Sequence, residues 1–208
     1  MARIRGSFIV LSLLGILAWA ALGVAQQQTV TQTIREPAQV RIEELFKQAD
    51  LVAVVRILSG DTEHYSPTVY KAEVVQSFKG AEKGGTIFFG PFISFGLGNE
   101  YFLFLRHSGK GIEPKGGAPV AGMSYGPIPD FYLVMYEGYS ALPIDYACVF
   151  DGQDIAQQCD YGIKINTSQV VLPRSLKTFP SVDKGASSDV TKWVRKTAFL
   201  SLMQRLAR

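Results

Sequence analysis

The sequence predicts a mainly β fold with a short helix near each end, and three observations carry that expectation. Leu51 to Leu58 is apolar on both faces of an extended chain, Val69 to Val74 alternates apolar with charged residues, and short segments of this kind are punctuated by Gly and Pro. In the alternating stretch Tyr70, Ala72 and Val74 fall on one side and Lys71 and Glu73 on the other, the period of a half-buried strand. The first stretch has no solvent side. It must be covered from two directions, as a strand between a barrel interior and a packed helix is.

The chain opens on a targeting segment. Arg3 and Arg5 precede an apolar run from Ser7 to Leu22, and Gly23-Val24-Ala25 supplies the small residues a signal peptidase reads. Residues 1–25 are thus read as a signal peptide cleaved after Ala25; the alternative is a retained membrane anchor, for which the run is short. With Arg3 and Arg5 removed, Lys+Arg falls from 21 to 19 against Asp+Glu 18, so net charge gives no argument for nucleic acid. The charge is unevenly placed. From Arg174 onward there are eight basic residues and two acidic ones, whereas no Lys or Arg lies between Lys115 and Lys164.

Residues 26–37, with Gln26-Gln27-Gln28, read as a linker, and 38–208 as a single domain. Val40 to Gln48 is a short helix with Val40, Leu45, Phe46 and Ala49 on one side. Leu51–Leu58 and Val69–Val74 are the first two strands, Thr86–Phe89 the third and Glu100–Arg106 the fourth, again apolar on both faces. Between the last two lies a Gly- and Pro-flanked loop that is unusually apolar, containing Phe92, Ile93, Phe95 and Leu97. A Gly- and Pro-rich loop fills 108–130, a length that implies function or mobility. Strands resume at Phe131–Tyr136, Tyr146–Phe150 and Tyr161–Leu172, and a helix over 188–206 starts on the capping residues Ser188 or Asp189. Cys148 and Cys159 are the two cysteines of an exported chain, and the expectation is one disulfide across a short loop, contributing roughly 3 kcal/mol.

The helix ending in Ala49-Asp50, the strand Leu51 to Ile57, the strand Tyr70 to Val75 closing on Phe78-Lys79-Gly80, and Gly98-Asn99-Glu100 leading into Tyr101 to Leu105 together resemble the superfamily of tissue inhibitors of metalloproteinases and netrin modules. The match covers about residues 40 to 106. It implies an OB-like, five-stranded closed or partly open barrel. In the animal inhibitors a disulfide-locked N-terminal cysteine chelates the protease zinc. Here no cysteine precedes Cys148, so that device transfers to no residue of this chain.

Catalytic signatures are weak. Gly122-Met123-Ser124-Tyr125-Gly126 matches the nucleophile elbow of hydrolases, but Pro127 and Pro129 oppose the helix that must follow, and His64 and His107 both precede Ser124. Asp151, Asp154 and Asp160 lack the spacing of a calcium loop, and neither histidine is near the cysteines, so no metal site and no cofactor is expected. Asn166-Thr167-Ser168 is a glycosylation sequon whose use depends on the host. The expected function is an exported, secreted or periplasmic, non-catalytic module that binds a protein partner through barrel loops, with Phe92, Ile93, Phe95 and Leu97 as the candidate interaction loop. Alternatives are a hydrolase using Ser124, or a metalloprotease inhibitor acting without the N-terminal cysteine. Nucleic acid is not an expected partner. The basic C-terminal helix is expected to dock on the chain's own acidic segment, Gly116 to Ile163, rather than on an anionic membrane.

Overall fold

The structure, a computed structural model, describes residues 39–91, 96–116, 125–149, 158–180 and 190–208. In chain order the elements are β1 (Val40–Arg41), α1 (Ile42–Gln48), β2 (Leu51–Asp61), β3 (Val69–Lys79), β4 (Thr86–Gly90), β5 (Glu100–His107), β6 (Phe131–Val134), β7 (Ala141–Val149), β8 (Gln158–Asn166), β9 (Val170–Val171), β10 (Thr178–Pro180), β11 (Thr191–Arg195) and α2 (Lys196–Leu206). The expected signal peptide and linker lie outside the described residues.

Five strands close into a mixed barrel. β2 pairs antiparallel with β3 and β5, β3 with β4, and β6 closes the ring by running parallel to β4 and antiparallel to β5. This is the generic OB-like arrangement, with extra strands outside it. The β2–β3 ladder shifts register between Val52 and Ala53, Val54 and Val55, and Ile57 and Ser59. Each shift bends and twists its strand, which is how a ring of only five strands can close.

The two apolar faces of β2 and β5 serve two cores. Leu51, Ala53, Val55 and Ile57 point into the barrel with Leu103, Leu105 and Phe89. Val52, Val54, Phe102 and Phe104 point the other way, into a second core completed by Leu45 and Phe46 of α1, Phe199 and Met203 of α2, and Ile144 and Ile163 of the outer sheet. Phe102 sits at its centre, with ring centroids 4.9 Å from Phe199, 5.1 Å from Phe104 and 5.5 Å from Phe78. Period-two alternation on a strand covered from both sides thus yields two packing layers from one segment.

The Phe-Lys-Gly turn that closes β3 has a separate task for each residue. Phe78 packs on Phe102, and the Lys79 ammonium donates to the carbonyls of Phe46 at 3.2 Å, Lys47 at 3.1 Å and Ala49 at 2.5 Å, satisfying acceptors that the end of α1 leaves unpaired. Gly80 has φ +71° and passes so near Asp50 that a Cβ would fall 2.0 Å from its carbonyl oxygen. Asp50 in turn accepts from the His107 amide at 2.8 Å and its own amide donates to the Leu105 carbonyl at 2.8 Å, tying α1 to β5.

Three element boundaries differ from the sequence expectation. The N-terminal helix begins at Ile42, because Val40 and Arg41 pair in parallel with Val170 and Val171. The long strand predicted over Tyr161–Leu172 is broken after Asn166, whose side-chain oxygen accepts from the Ser168 amide at 3.0 Å and the Ser168 hydroxyl at 2.6 Å and so makes a turn. The C-terminal helix begins at Lys196; Thr191 to Arg195 form β11 instead, and Arg195 holds extended backbone angles at the boundary. The predicted caps Ser188 and Asp189 lie outside the described residues.

The C-terminal helix packs on the segment expected of it through apolar contacts: its Phe199, Leu202 and Met203 share the second core with Leu142, Ile144 and Ile163. Trp193 and Val194, which precede it, are strand residues of β11. The helix's described ion pair, Lys196 with Glu100 at 2.8 Å, is made to β5 and not to the acidic segment 116–163.

Candidate binding site at the root of a projecting ribbon

β5 is shared between the barrel and the outer sheet. On one edge its residues Leu105 to His107 take β6 and its residues Glu100 to Leu103 take β7, so consecutive strands occupy consecutive lengths of a single edge. The chain changes from one to the other through a 3-10 turn at Tyr136–Gly138, with φ +49° at Tyr136 and +99° at Gly138. Ser140, fully buried, holds that turn: its hydroxyl accepts from the Met135 amide at 2.8 Å and donates to the Met135 carbonyl at 2.9 Å, while its own carbonyl accepts from the Phe104 amide. A buried hydroxyl with both capacities used is not a penalty but a fixed joint.

Beyond that joint β7 outruns its support. Its pairing with β5 ends at Ile144 opposite Glu100, whereas its pairing with β8 continues through Tyr146 opposite Tyr161 and Cys148 opposite Cys159 to Val149 opposite Gln158. β8 is paired with β11 only from Gly162 to Asn166. Asp145–Val149 and Gln158–Tyr161 therefore project as a two-stranded ribbon. Ile144 and Ile163 belong to the second core, and two residues further out the same face carries Tyr146 and Tyr161, 62% and 54% exposed. Their rings meet edge to face at 5.3 Å.

The ribbon's root is charged and internally neutralised. Glu100 accepts from Lys196 at 2.8 Å and from Arg56 at 3.1 Å, and Arg56 also lies 3.7 Å from Glu73. Burial pushes the Glu100 carboxyl up, but the hydrogen bonds and charges of Lys196 and then Arg56 outweigh it and hold the group below its ordinary value. Lys196 is the first residue of α2, where the helix dipole disfavours a cation, so Glu100 is what makes that position tolerable. The Lys196 ammonium also lies 5.6 Å from the centre of the Tyr161 ring. Around these groups is an open groove of about 500 Å³, lined by Arg56, Gly98, Asn99, Glu100, Ile144, Asp145, Tyr146, Tyr161 and Lys196.

Gly98 and Asn99, which follow the predicted interaction loop, line this groove. Leu97, the loop's one described apolar member, is 68% exposed, while Phe92, Ile93 and Phe95 lie outside the described residues. The end of the loop is pinned to β2, with the Gly98 amide donating to the Ile57 carbonyl at 2.8 Å and the Ile57 amide to the Asn99 carbonyl at 3.1 Å.

The Gly- and Pro-rich loop contrasts with it. Its described ends close over the outside of the barrel in a small third core of Tyr65, Val69, Ile128 and Phe131. The Tyr65 hydroxyl donates to the Gly126 carbonyl at 2.6 Å, the Tyr125 and Ser59 hydroxyls are bonded at 2.7 Å, and the Lys115 amide donates to the His64 carbonyl at 2.6 Å. Burial raises the Tyr125 phenol above its ordinary value, with the Ser59 hydrogen bond opposing that shift. On the facing loop Asp61 accepts from the amides of Glu63 and His64 and from the His64 ring. Burial raises its carboxyl and these bonds, led by the His64 amide, lower it further, leaving the group below its ordinary value.

Of the other candidate residues, only some are described. Ser124, Asp151 and Asp154 lie outside the described residues, Asp160 accepts from the Tyr161 amide, and His107 sits 3.6 Å from Asp130. Among the described residues no group of three or more His, Cys, Asp or Glu could hold a metal ion, and no helix is long and apolar enough to cross a membrane.

Comparison of the chain with protein-family models, with curated proteins and with solved structures finds no match in any of the three. The expectation that joined an inhibitor-like identity to the cysteine pair is corrected: no comparison carries that identity, and both cysteines lie in the outer ribbon. Cys159 is disulfide-bonded and stands in the outer ribbon, not in the barrel. The described fold is a generic five-stranded barrel with extra strands outside it.

Proposed function

We propose that this protein is an exported, non-catalytic binding module that takes a protein partner at the root of the β7–β8 ribbon. Export is supported by the basic, then apolar, then small-residue pattern over residues 1–25. The observation that carries the binding reading is the tyrosine pair: Tyr146 and Tyr161 continue a face that is core two residues earlier, yet stand open beside the Arg56–Glu100–Lys196 cluster. Tyrosine and arginine beside an apolar, well-braced surface are the residues that dominate binding energy at protein interfaces. Exposed Leu97 extends the same surface.

The test is recovery of the partner from cells that make the protein, with Tyr146→Ser/Tyr161→Ser against wild type. The double variant is expected to lose a specific partner at least about tenfold while unfolding at the wild-type temperature, because truncating two hot-spot aromatics costs more than 2 kcal/mol. Unchanged recovery with the double variant contradicts this assignment.

A further inference from the structure

We propose that the open edge of β7 beyond Ile144 accepts an extended, basic segment of the partner as an added β-strand. The inference rests on the ribbon root being the binding site and adds the mode and the chemistry of the partner. On its β5 side β7 is paired only from Ala141 to Ile144, and among the described residues the edge of Asp145 to Val149 has no ladder partner there. An unpaired edge is a template for another strand, which proteins ordinarily blunt with Lys, Pro, Gly bulges or short length. Asp145, Tyr146, Ala147, Cys148 and Val149 include none of Lys, Arg, Pro or Gly, and the ladder to β8 runs without a register shift from Ile144 to Val149. Among the described residues no strand covers this edge, and Asp145 is its one charge.

Its direction also fits an incoming strand. Where β7 separates from β5, the segment Gly98–Glu100 stays with β2, and the groove of about 500 Å³ opens between the two. A strand added to β7 would enter there, with alternate side chains over the Tyr146 ring and the intervening ones toward Asp145. Charge selects the partner. The chain has no Lys or Arg between Lys115 and Lys164, Asp160 stands exposed on the ribbon, and the three cations at its root are engaged by the chain's own acids, Arg56 and Lys196 by Glu100 and Lys164 by Asp145 at 3.5 Å. The complement is a segment with Lys or Arg at alternate positions.

The experiment uses the full chain and three probes: a capped nonapeptide alternating Lys and Val, the same pattern with Glu in place of Lys, and the Lys peptide N-methylated at alternate residues along one edge. Backbone amide exchange over Asp145 to Val149 is followed in each mixture. The free monomer is expected to exchange freely at the edge-facing amides of this stretch, and the Lys peptide to slow that exchange about tenfold or more. The Glu peptide and the N-methylated peptide are each expected to bind about tenfold more weakly, and Asp145→Asn/Asp160→Asn to weaken the Lys peptide several-fold. Protection of the edge in the free monomer, absence of Lys-peptide binding, or indifference to N-methylation would overturn strand addition. So would protection that rises with protein concentration together with a dimer mass, since the occupant would then be a second copy of this chain. These failures leave the tyrosine site standing, whereas partner recovery indifferent to Tyr146 and Tyr161 removes the site itself.

Discussion

Two tyrosine-bearing regions face outward from this barrel, and they are built in opposite ways. At the Gly- and Pro-rich loop Tyr65 is 1% exposed, its hydroxyl is bonded to Gly126, and its ring stacks 6.2 Å from Tyr125. At the ribbon Tyr146 and Tyr161 meet edge to face and stay more than half exposed, with the Lys196 ammonium 5.6 Å from the Tyr161 ring. The first region spends its aromatics on holding a long irregular loop in place. The second holds its aromatics out while the fixing is done further back, by Ser140, Phe104 and the Glu100 cluster. A surface whose ordering cost is met elsewhere in the fold is preorganised for binding.

The largest expected effect separates these uses directly. Tyr65→Ala should destabilise the protein by about 3 to 5 kcal/mol in urea unfolding, because it removes a buried ring and the hydrogen bond its hydroxyl donates to the Gly126 carbonyl. Tyr146→Ser should stay within about 0.5 kcal/mol of wild type by the same measurement. Comparable losses at both positions would erase the distinction.

Next in size is Lys79→Met, which keeps the aliphatic stem near Phe46 but removes the ammonium that caps α1. We expect about 1 to 3 kcal/mol of lost stability, with Lys79→Arg recovering part of it. This residue shows what can be read in advance. The apolar two-faced strands and the Lys-Gly turn are local patterns, so β2, β5 and the end of β3 were legible from the sequence. β11 was not: its five residues, Thr191 to Arg195, are too few to establish a period, and both Trp193 and Val194 are buried because the strand is covered on two sides. Nor was the ribbon surface, since Tyr146 meets Tyr161 through a register set by the whole outer sheet, and nothing local marks where β5 stops supporting β7.

Acid should act on both regions, with different consequences. Asp61 and Glu100 are each held below their ordinary carboxylate values, 3.8 and 4.5. The folded state therefore binds protons less readily than the unfolded chain, and their stabilisation is present above those values and is lost as pH falls through the lowered ones. Asp61→Asn should flatten the decline in thermal stability below pH 4, a change read by melting at pH 5 and pH 2.5. Glu100→Gln should do so less, since solvent and salt reach its partners; its effect should shrink further in high salt, whereas that of Asp61→Asn should not.

The smallest stability effect, and the sharpest functional one, belongs to the ribbon. A photo-crosslinking phenylalanine analogue placed at position 146 and, separately, at position 125 probes the two regions in the same cells. The account predicts a discrete protein adduct from position 146 and none from position 125, with the adduct diminished by Arg56→Glu in the 146 background. An adduct from position 125 with none from position 146 would contradict it, placing the binding surface beside Tyr125 instead of on the ribbon.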